Sequence, residues 1–233
     1  MKTKKKLVVL TGAGISAESG IATFRGSGGL WEGRDVTQVA SPEGWQQDRE
    51  LVLDFYNQRR RQMVQCLPNA GHKALVDLEE YFDVQIITQN IDDLHERAGS
   101  SKVLHLHGEI LLARSTSNPD LIYPLQGGKD IVIGDTCEEG SQLRPHIVWF
   151  GEDVPLFPKA VDMSRDADIF IVVGTSLVVY PANTLVNHPP PGAPIYIVDP
   201  TKPEVILTKR MRFIAQNATV GLPRILPELI GMA

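Results

Sequence analysis

A glycine-rich turn directly follows the first apolar run of the sequence. Residues 7–10 are Leu-Val-Val-Leu and residues 12–17 are Gly-Ala-Gly-Ile-Ser-Ala, which fits the pattern G-x-G-x-x-A after a buried strand. Glycine lets the backbone approach a pyrophosphate, whose charge amide N–H groups at a helix N-terminus can meet. The alternative is a tight turn without a ligand. No strand is predicted before Glu32 or Asp35, the acids near the spacing of a dehydrogenase, so a nucleotide is favoured and hydride transfer is not.

A second polar segment, residues 88–93, follows the apolar run at 84–88. Its sequence is Thr-Gln-Asn-Ile-Asp-Asp, and it lies where open α/β sheets place their ligands. Amide and carboxylate side chains there could orient a ribose or a carboxamide. A helix cap formed by Asn90 or Asp92 explains the same residues equally well.

His105 and His107 alternate with leucine and are predicted to share one face of a strand. A His-x-His pair can bind a metal, but further ligands would have to come from Cys137 or His146, which are remote in sequence. His107 precedes Gly108 at the end of the predicted strand and is the better candidate for an acid or base, because imidazole titrates near neutral pH. The alternative is a hydrogen-bonded structural histidine.

Tyr56 and Arg59 are three residues apart on a predicted helix and therefore share a face. A guanidinium group beside a phenol can hold a carboxylate by two hydrogen bonds. The alternative is that the run of three arginines at 59–61 forms a solvated helix face.

The elements that must position these residues are typical of a parallel α/β sheet. The apolar runs at 7–10, 84–88, 169–173 and 195–198 each end in a polar or glycine-rich turn. Helices are predicted from Pro42 to Val64 with an interruption, after Asn69, over 92–98 and over 222–230. Glycine and proline punctuate residues 108–144, with β-prone pieces at 121–123 and 131–133, so this segment is predicted to be an inserted module. The glycine-rich stretch 20–44 is a candidate loop over a ligand.

Composition excludes several classes of protein. The 233 residues carry a net charge of −5, which disfavours a nucleic-acid partner, and 42% are hydrophobic, which excludes wholesale disorder. The N-terminal lysines precede only four apolar residues, too few for a signal peptide, and no apolar run is long enough to span a membrane. Two cysteines, Cys66 and Cys137, suit a reduced compartment. We therefore expect a cytoplasmic protein without a membrane partner.

Five separated motifs together resemble the sirtuins, the NAD-dependent protein-lysine deacylases. The motifs are residues 12–25 (GAGISAESGIATFR), 88–92 (TQNID), 107–108 (HG), 148–152 (VWFGE) and 174–176 (GTS). They follow the order of the family and cover nearly the whole chain. Residues 55–60 (FYNQRR) also resemble the Y-x-x-R signature of the class that removes acidic acyl groups. The resemblance is therefore to a class III-like bacterial member of the family.

This resemblance implies a single catalytic domain over residues 1–233. A Rossmann-like parallel sheet with helices on both faces would comprise about 1–25, 69–107 and 145–233. A small inserted module would comprise about 26–68, which is helical, and 108–144, which corresponds to the zinc module of the family. An acyl-lysine protein or peptide would bind in the cleft between the two parts.

The resemblance also implies the reaction and the residues that carry it. NAD-dependent removal of an acyl group from a protein lysine would give nicotinamide and 2′-O-acyl-ADP-ribose, with His107 as general base and Asn90 and Asp92 positioning the ribose and nicotinamide. The NAD site would contain Gly12, Ala13, Gly14, Ser16, Phe24, Arg25, Gln89, Asn90, Ile91, Asp92, Gly174, Thr175, Ser176, Asp199 and Ala218. The substrate site would contain Tyr56, Arg59, Val148, Trp149, Phe150 and Gly151, the last four as a strand that pairs with the substrate backbone.

The acyl preference is predicted to lean toward succinyl and malonyl groups, because Tyr56 and Arg59 would grip their carboxylate, with acetyl groups also accepted. Two other functions use the same residues. One is an NAD hydrolase or ADP-ribosyltransferase, in which water or a protein side chain takes the place of the acyl group. The other is a non-catalytic NAD-binding module.

One segment departs from the family pattern. The family's small module usually carries two C-x-x-C pairs that hold a structural zinc, and the corresponding positions here are Ser115, Asn118, Gly134 and Cys137. One thiolate cannot complete a tetrahedral site, so no zinc is predicted. The module would instead be held together by its apolar residues, which are Leu111, Leu121, Tyr123, Leu125, Ile131 and Ile133.

Overall fold

The computed structural model describes residues 3–23 and 35–233, so the predictions for Phe24 and Arg25 lie outside the described residues. The strands are β1 (Lys6–Thr11), β2 (Asp83–Thr88), β3 (Val103–His105), β4 (Gly108–Ser115), β5 (Ile122–Pro124), β6 (Leu143–Ile147), β7 (Ile169–Val173), β8 (Ile195–Val198) and β9 (Met211–Ile214). The helices are α1 (Gly14–Ala17), α2 (Pro42–Gln47), α3 (Arg49–Met63), α4 (Ala70–Leu78), α5 (Leu94–Ala98), α6 (Phe157–Arg165) and α7 (Ala218–Ile230).

Six strands form one parallel sheet in the order β3-β2-β1-β7-β8-β9. The strands read as continuous apolar runs because both faces of the sheet are covered. In β1, Leu7 and Val9 face a core that includes α4 and α7, whereas Val8 and Leu10 face a second core that includes α6. The prediction of a Rossmann-like parallel sheet with helices on both faces is confirmed.

Helices α2, α3 and α4 begin at side-chain caps, which are Ser41, Asp48 and Asn69. Asn69 caps α4 together with His72, and Asp48 interrupts the long helical stretch between α2 and α3 and caps α3. The last helix begins at Ala218 rather than at Leu222. A proline is usually found in the first turn of a helix, but Pro223 lies inside this one. Helix α6 and strand β9 were not predicted, because α6 has nine residues of which only Ala160, Val161 and Ser164 are buried, and the exposed Arg212 interrupts the four residues of β9.

A second unit, here called the small module, consists of α2, α3 and the antiparallel sheet β5-β4-β6. Strand β6 extends to Ile147, three residues beyond the boundary expected at 144. The core of the small module contains buried residues from different parts of the chain, which include Trp45, Val52, Ile110, Ile131 and Ile147.

Two expectations about the small module are wrong. Residues 131–133 do not form a strand, and Ile133 is exposed rather than part of the core. Leu111 and Leu125 pack against the core from partly buried positions, and Ile131 is fully inside it. Large buried side chains also come from α3, which was predicted, and from strand β4, which sequence patterning did not identify.

Among residues 3–23 and 35–233, no helix has the length and apolar character needed to cross a membrane. Cys66 and Cys137 are both free. The cytoplasmic location and the lack of a nucleic-acid partner stay predictions.

Candidate active site

A cavity of about 1070 Å³ lies between the carboxyl ends of the parallel strands and the small module. Ligands of α/β proteins bind at this edge of the sheet. The cavity brings together residues from the chain segments that carried the sequence motifs. The predicted site residues that line it are Gly12, Ala13, Gly14, Tyr56, Arg59, Gln89, Asn90, Ile91, His107, Val148, Trp149, Phe150, Gly151, Gly174, Thr175, Ser176 and Asp199.

Three of the predicted site residues that the structure describes do not line the cavity. Ala218 is buried in the core between the sheet and α4, where its methyl group lies against Gly71. Ser16 and Asp92 are buried behind the lining and act on it through hydrogen bonds. The neighbouring Asn217, which was not predicted, lines the cavity in place of Ala218.

The two glycine turns, after β1 and after β7, are interlocked. The Gly12 and Gly14 amides donate to the carbonyl oxygens of Val173 (3.0 Å) and Gly174 (2.8 Å). A Cβ atom on Gly14 would lie 2.6 Å from Gly174 Cα, and Gly174 itself has φ +62°. These two amides are therefore committed to the protein rather than to an anion. The close contact between the two turns therefore requires glycine at these positions. The sequence analysis had instead explained the glycines by the approach of a pyrophosphate.

Replacing Gly174 with alanine should separate the two turns. Its Cβ would lie 2.4 Å from Ile15 N, against backbone that cannot yield locally, and the positive φ adds strain. We expect a loss of unfolding free energy of about 1 kcal/mol from the conformation and about 2 kcal/mol from the collision. Gly127→Ala is the matched control, because Gly127 has φ +65° and no atom lies within 4 Å of the position that an added Cβ would take. Equal losses in urea unfolding of the two variants would contradict the interlocked turns.

Asn90, Ser16 and Asp92 form a hydrogen-bonded set beneath the first glycine turn. Asn90 Nδ2 donates to Ser16 Oγ and to Gly12 O, both at 3.2 Å, and Ser16 Oγ donates to Asp92 Oδ2 at 3.0 Å. Asp92 also accepts the backbone N–H of Leu94, the first residue of α5, although the N-cap position is Asp93, whose side chain makes no capping bond. Burial raises the pKa of the Asp92 carboxyl, although these hydrogen bonds oppose the shift. The set fixes the Asn90 amide at the cavity wall.

His107 follows β3 in a turn and lines the cavity. Its Nδ1 lies 3.0 Å from Gln89 O. A carbonyl oxygen only accepts, so Nδ1 carries the proton and Nε2 keeps its lone pair. Burial lowers the pKa of His107 below its usual 6.5, against the opposing effect of the Gln89 carbonyl. At neutral pH the ring is a base with one free nitrogen.

His105 is used differently from His107. Its Nδ1 bonds to Asn90 O (3.1 Å) and its Nε2 to Glu96 Oε1 (2.8 Å), so both ring nitrogens have acceptors. Burial disfavours the charged ring, but the hydrogen bond and charge of Glu96 outweigh it and raise the pKa of His105. This histidine is structural, and neither nitrogen is left for a metal.

Two further buried histidines support the first glycine turn and were not predicted. His95 Nε2 bonds to Thr11 Oγ1 at 3.1 Å, His72 Nε2 lies 3.5 Å from Ser16 Oγ, and the two rings meet edge to face. Burial lowers the pKa of His72 to about 4 and that of His95 well below 6.5, so both rings are neutral. Each lies in a helix with no local signal that could have marked it.

Tyr56 and Arg59 reach the cavity from one face of α3, as predicted from their spacing. Arg59 is 5% exposed, and burial lowers its pKa to about 10, so the guanidinium is charged and poorly hydrated at neutral pH. Tyr56 Oη accepts a hydrogen bond from Trp149 Nε1 at 3.1 Å. The alternative of a solvated arginine face holds only for Arg61, because Arg60 is fully buried.

The segment 148–151 lines the cavity but is not a strand. Strand β6 ends at Ile147, and the following residues turn. The Val148 amide donates to His107 O (2.9 Å) and the Phe150 amide to Ala40 O (3.0 Å). These two hydrogen bonds go to different parts of the chain, so the segment is held in place but does not pair with a neighbouring strand.

Comparison with known proteins now identifies the family. The model of the Sir2 family matches residues 12–181. A protein of Helicobacter pylori strain J99 named NAD-dependent protein deacylase is 53% identical, over 98% of this chain and 97% of that protein. This chain belongs to the Sir2 family.

Solved Sir2 structures share the whole architecture. A Sir2 homologue in complex with NAD is 37% identical and superposes with a TM-score of 0.85, covering 97% of this chain and 91% of that one. A Sir2 protein bound to a deacetylated p53 peptide and 3′-O-acetyl ADP-ribose is 32% identical, with a TM-score of 0.81 over 97% of this chain and 94% of that one.

The Sir2 cavity also contains residues that sequence reasoning missed. They come from the loop after the 148–152 motif, from the segment after the 174–176 motif and from the ends of other elements. Beyond the predicted set, the lining includes Ala17, Glu18, Thr23, Ala40, Phe55, Ile147, Glu152, Asp153, Val154, Pro155, Phe157, Pro158, Val179, Tyr180, Pro181, Pro200, Thr201 and Asn217. The residues after 151 and after 176 could have been predicted to line the cavity, because they directly continue two motifs that had been assigned to the site.

Hydrogen bonds within the small module engage all four positions that were predicted to correspond to zinc ligands. Cys137 Sγ donates to Ser115 Oγ at 3.3 Å, and the Asn118 amide donates to the same oxygen at 3.2 Å. Asn118 Nδ2 donates to Glu139, and the Gly134 amide donates to Gln142. Within residues 3–23 and 35–233, no group of three or more His, Cys, Asp or Glu side chains is arranged to hold a metal ion.

Proposed function

We propose that this Sir2 protein is an NAD-dependent protein-lysine deacylase that releases nicotinamide and 2′-O-acyl-ADP-ribose. The observation that carries the proposal is His107, a neutral base whose free Nε2 shares one cavity with both glycine turns and the Asn90 amide. The deacylase name of the Helicobacter pylori relative and the NAD-bound and peptide-bound Sir2 structures support it.

In the proposed reaction His107 transfers a proton, and Asn90, Ser16 and Asp92 position the bound ribose. Bound NAD would supply the anomeric ribose carbon, at which the bond to nicotinamide breaks and a bond to the acyl oxygen forms. His107 Nε2 takes a proton from a ribose hydroxyl, and the Gln89 carbonyl holds the ring in the tautomer that allows this. Asn90 orients the ribose, and Asp92 acts through Ser16, which fixes the Asn90 amide.

Nicotinamide release from the purified protein tests this proposal. We expect release only when NAD and an acetyl- or succinyl-lysine peptide are both present, together with formation of the O-acyl product. No release with either peptide would refute the deacylase. Consumption of NAD without peptide would favour an NAD hydrolase or an ADP-ribosyltransferase instead.

The acyl preference that we propose leans toward succinyl and malonyl groups. Arg59 is a buried cation at the cavity wall, and Tyr56 is its neighbour one helical turn away. A carboxylate at the far end of the acyl chain could accept hydrogen bonds from both groups, whereas acetyl-lysine has no such acceptor. Acetyl groups would also be removed, because the reacting part of the site is the same.

We further propose that the small module folds without zinc. Ser115 is 1% exposed, and its hydroxyl oxygen accepts from Cys137 Sγ and from the amides of Ser117 and Asn118. These contacts link the turn after β4 to the segment before β6, which a structural zinc would otherwise join. Metal analysis of the purified protein should find less than one zinc per ten chains, and a stoichiometric zinc would overturn the proposal.

Ser115→Ala should destabilise the metal-free module. The change leaves the buried thiol of Cys137 and the partly buried amide of Asn118 without their acceptor, which costs about 1 to 3 kcal/mol of unfolding free energy. Ser101→Ala is the matched control, because Ser101 is exposed and its backbone amide, not its hydroxyl, bonds to Glu79 Oε1. We expect the control to stay within about 0.5 kcal/mol of the parent in urea unfolding. Equal stability of the two variants would contradict the role of the Ser115 hydroxyl.

A further inference from the structure

Arg144, on strand β6, lies outside the cavity but directly behind one of its walls. Its guanidinium carbon is 3.2 Å from the ring centroid of Trp149, which does line the cavity. Arg144 is 7% exposed, so water weakens this cation–π contact little. The mechanism described above gives Arg144 no part.

Glu152 holds Arg144 on the ring. Its carboxylate accepts Arg144 Nη1 at 2.6 Å and Nη2 at 3.1 Å, and it also accepts the backbone amide of Trp149 at 2.8 Å. Arg114, the cross-strand neighbour of Arg144 on β4, donates to the same carboxylate. One carboxylate therefore fixes both the backbone of Trp149 and the cation on its ring.

The indole of Trp149, held by Glu152 and Arg144, in turn orients Tyr56 through a hydrogen bond. An indole N–H can only donate, so the 3.1 Å contact makes Tyr56 Oη the acceptor. The phenol keeps its own proton, because burial raises the pKa of Tyr56 to about 12. With its oxygen held by Trp149, the hydroxyl of Tyr56 is directed to donate to a group inside the cavity. A cation on the indole face polarises the N–H and strengthens this arrangement.

We propose that Arg144 is a positioning residue for acyl selectivity: through Trp149 it presents the Tyr56 hydroxyl as a donor to acyl groups that end in a carboxylate. The inference rests on the proposed deacylase function and names a determinant of its substrate class. Arg144 contacts no substrate in this scheme, and removal of acetyl groups does not depend on it.

Kinetics with one peptide carrying either succinyl- or acetyl-lysine test the proposal. For Arg144→Met we expect KM for the succinyl peptide to rise about tenfold, with kcat within about twofold. A tenfold rise corresponds to the loss of one hydrogen bond from Tyr56 to the charged end of the acyl group. Values for the acetyl peptide should stay within about twofold. Arg144→Lys keeps a cation near the ring and should recover part of the succinyl KM. Equal losses with both peptides would mean that Arg144 serves only the fold, and would overturn the proposal.

Trp149→Phe provides a second route, which tests the Trp149 N–H directly. It keeps an aromatic ring for Arg144 but removes the N–H donor, so the ratio of the succinyl KM to the acetyl KM should rise. In the double variant, Arg144→Met should add nothing further, because its effect passes through that N–H. Additive effects would overturn the proposal. A parent protein inactive on both peptides would refute the deacylase function itself, which is a distinguishable result.

Discussion

His107→Ala should lower kcat for deacylation about 10³-fold, within the range that a general base contributes. The ring is the cavity group whose Nδ1 is fixed by Gln89 O and whose Nε2 is free to take a proton. The variant should still bind NAD, since the hydrogen bonds that hold the glycine turns and the Asn90 amide do not involve the ring. Steady-state kinetics and NAD titration would measure both quantities.

The control for His107→Ala is His188→Ala. His188 lies after the 3-10 helix Ala182–Asn187 and does not line the cavity, so kcat should be unchanged. The parent pH profile gives an independent check. Because burial lowers the pKa of His107, the neutral base persists below pH 6.5, and kcat/KM should fall only below that value as the ring gains a proton. A fall that begins well above pH 6.5 would contradict His107 as the base, as would an active His107→Ala variant.

The sheet and the edge that carries the site were predictable because their signals are local. Buried parallel strands leave apolar runs, and each run here ends in the polar or glycine-rich residues that line the cavity. Strand β4 contains an apolar run at 110–113, but it escaped prediction because the glycines and prolines between 108 and 144 gave the whole segment the pattern of an irregular insertion. The edge strand β9 has one buried residue, Ile214, and the exposed Arg212 interrupts its apolar residues.

The reasons behind the site residues were less predictable than the residues themselves. The glycines of the first turn suggested contact with a ligand, yet the structure shows that they admit the turn of Gly174, from a strand more than 150 positions later. His72 and His95 support the same turn from two helices, and only the folded chain brings them together. Ser115 is similar, because its role depends on the approach of Cys137. Contacts of this kind are set by tertiary packing, which local sequence does not encode.

The three arginines at 59–61 show why a helical pattern predicts faces but not environments. Arg60 Nε donates to Ile110 O at 2.7 Å inside the small module, and Arg61 pairs with Asp130 at the surface. Arg59, on the Tyr56 face, enters the cavity. Consecutive positions on a helix are about 100° apart, so three neighbouring arginines meet the core, the surface and the ligand site.

This division makes Arg59→Met the sharpest test of the acyl preference. Methionine fills a similar volume but removes the cation, so an incoming carboxylate would be buried with the Tyr56 hydroxyl as its remaining predicted donor. We expect kcat/KM for a succinyl-lysine peptide to fall about 10²-fold, which corresponds to a charge-assisted hydrogen bond in a desolvated site. The value for the acetyl-lysine peptide should be unchanged or higher, because a buried cation no longer faces a methyl group.

Arg61→Met controls for the loss of positive charge on α3. Arg61 is exposed and pairs with Asp130, so the change should affect neither peptide by more than about twofold. The decisive quantity is the ratio of the two kcat/KM values, because loss of folded protein lowers both values equally and leaves their ratio unchanged. If Arg59→Met leaves that ratio at the parent value, the carboxylate does not reach Arg59, and the preference for acidic acyl groups is wrong even if the protein is a deacylase.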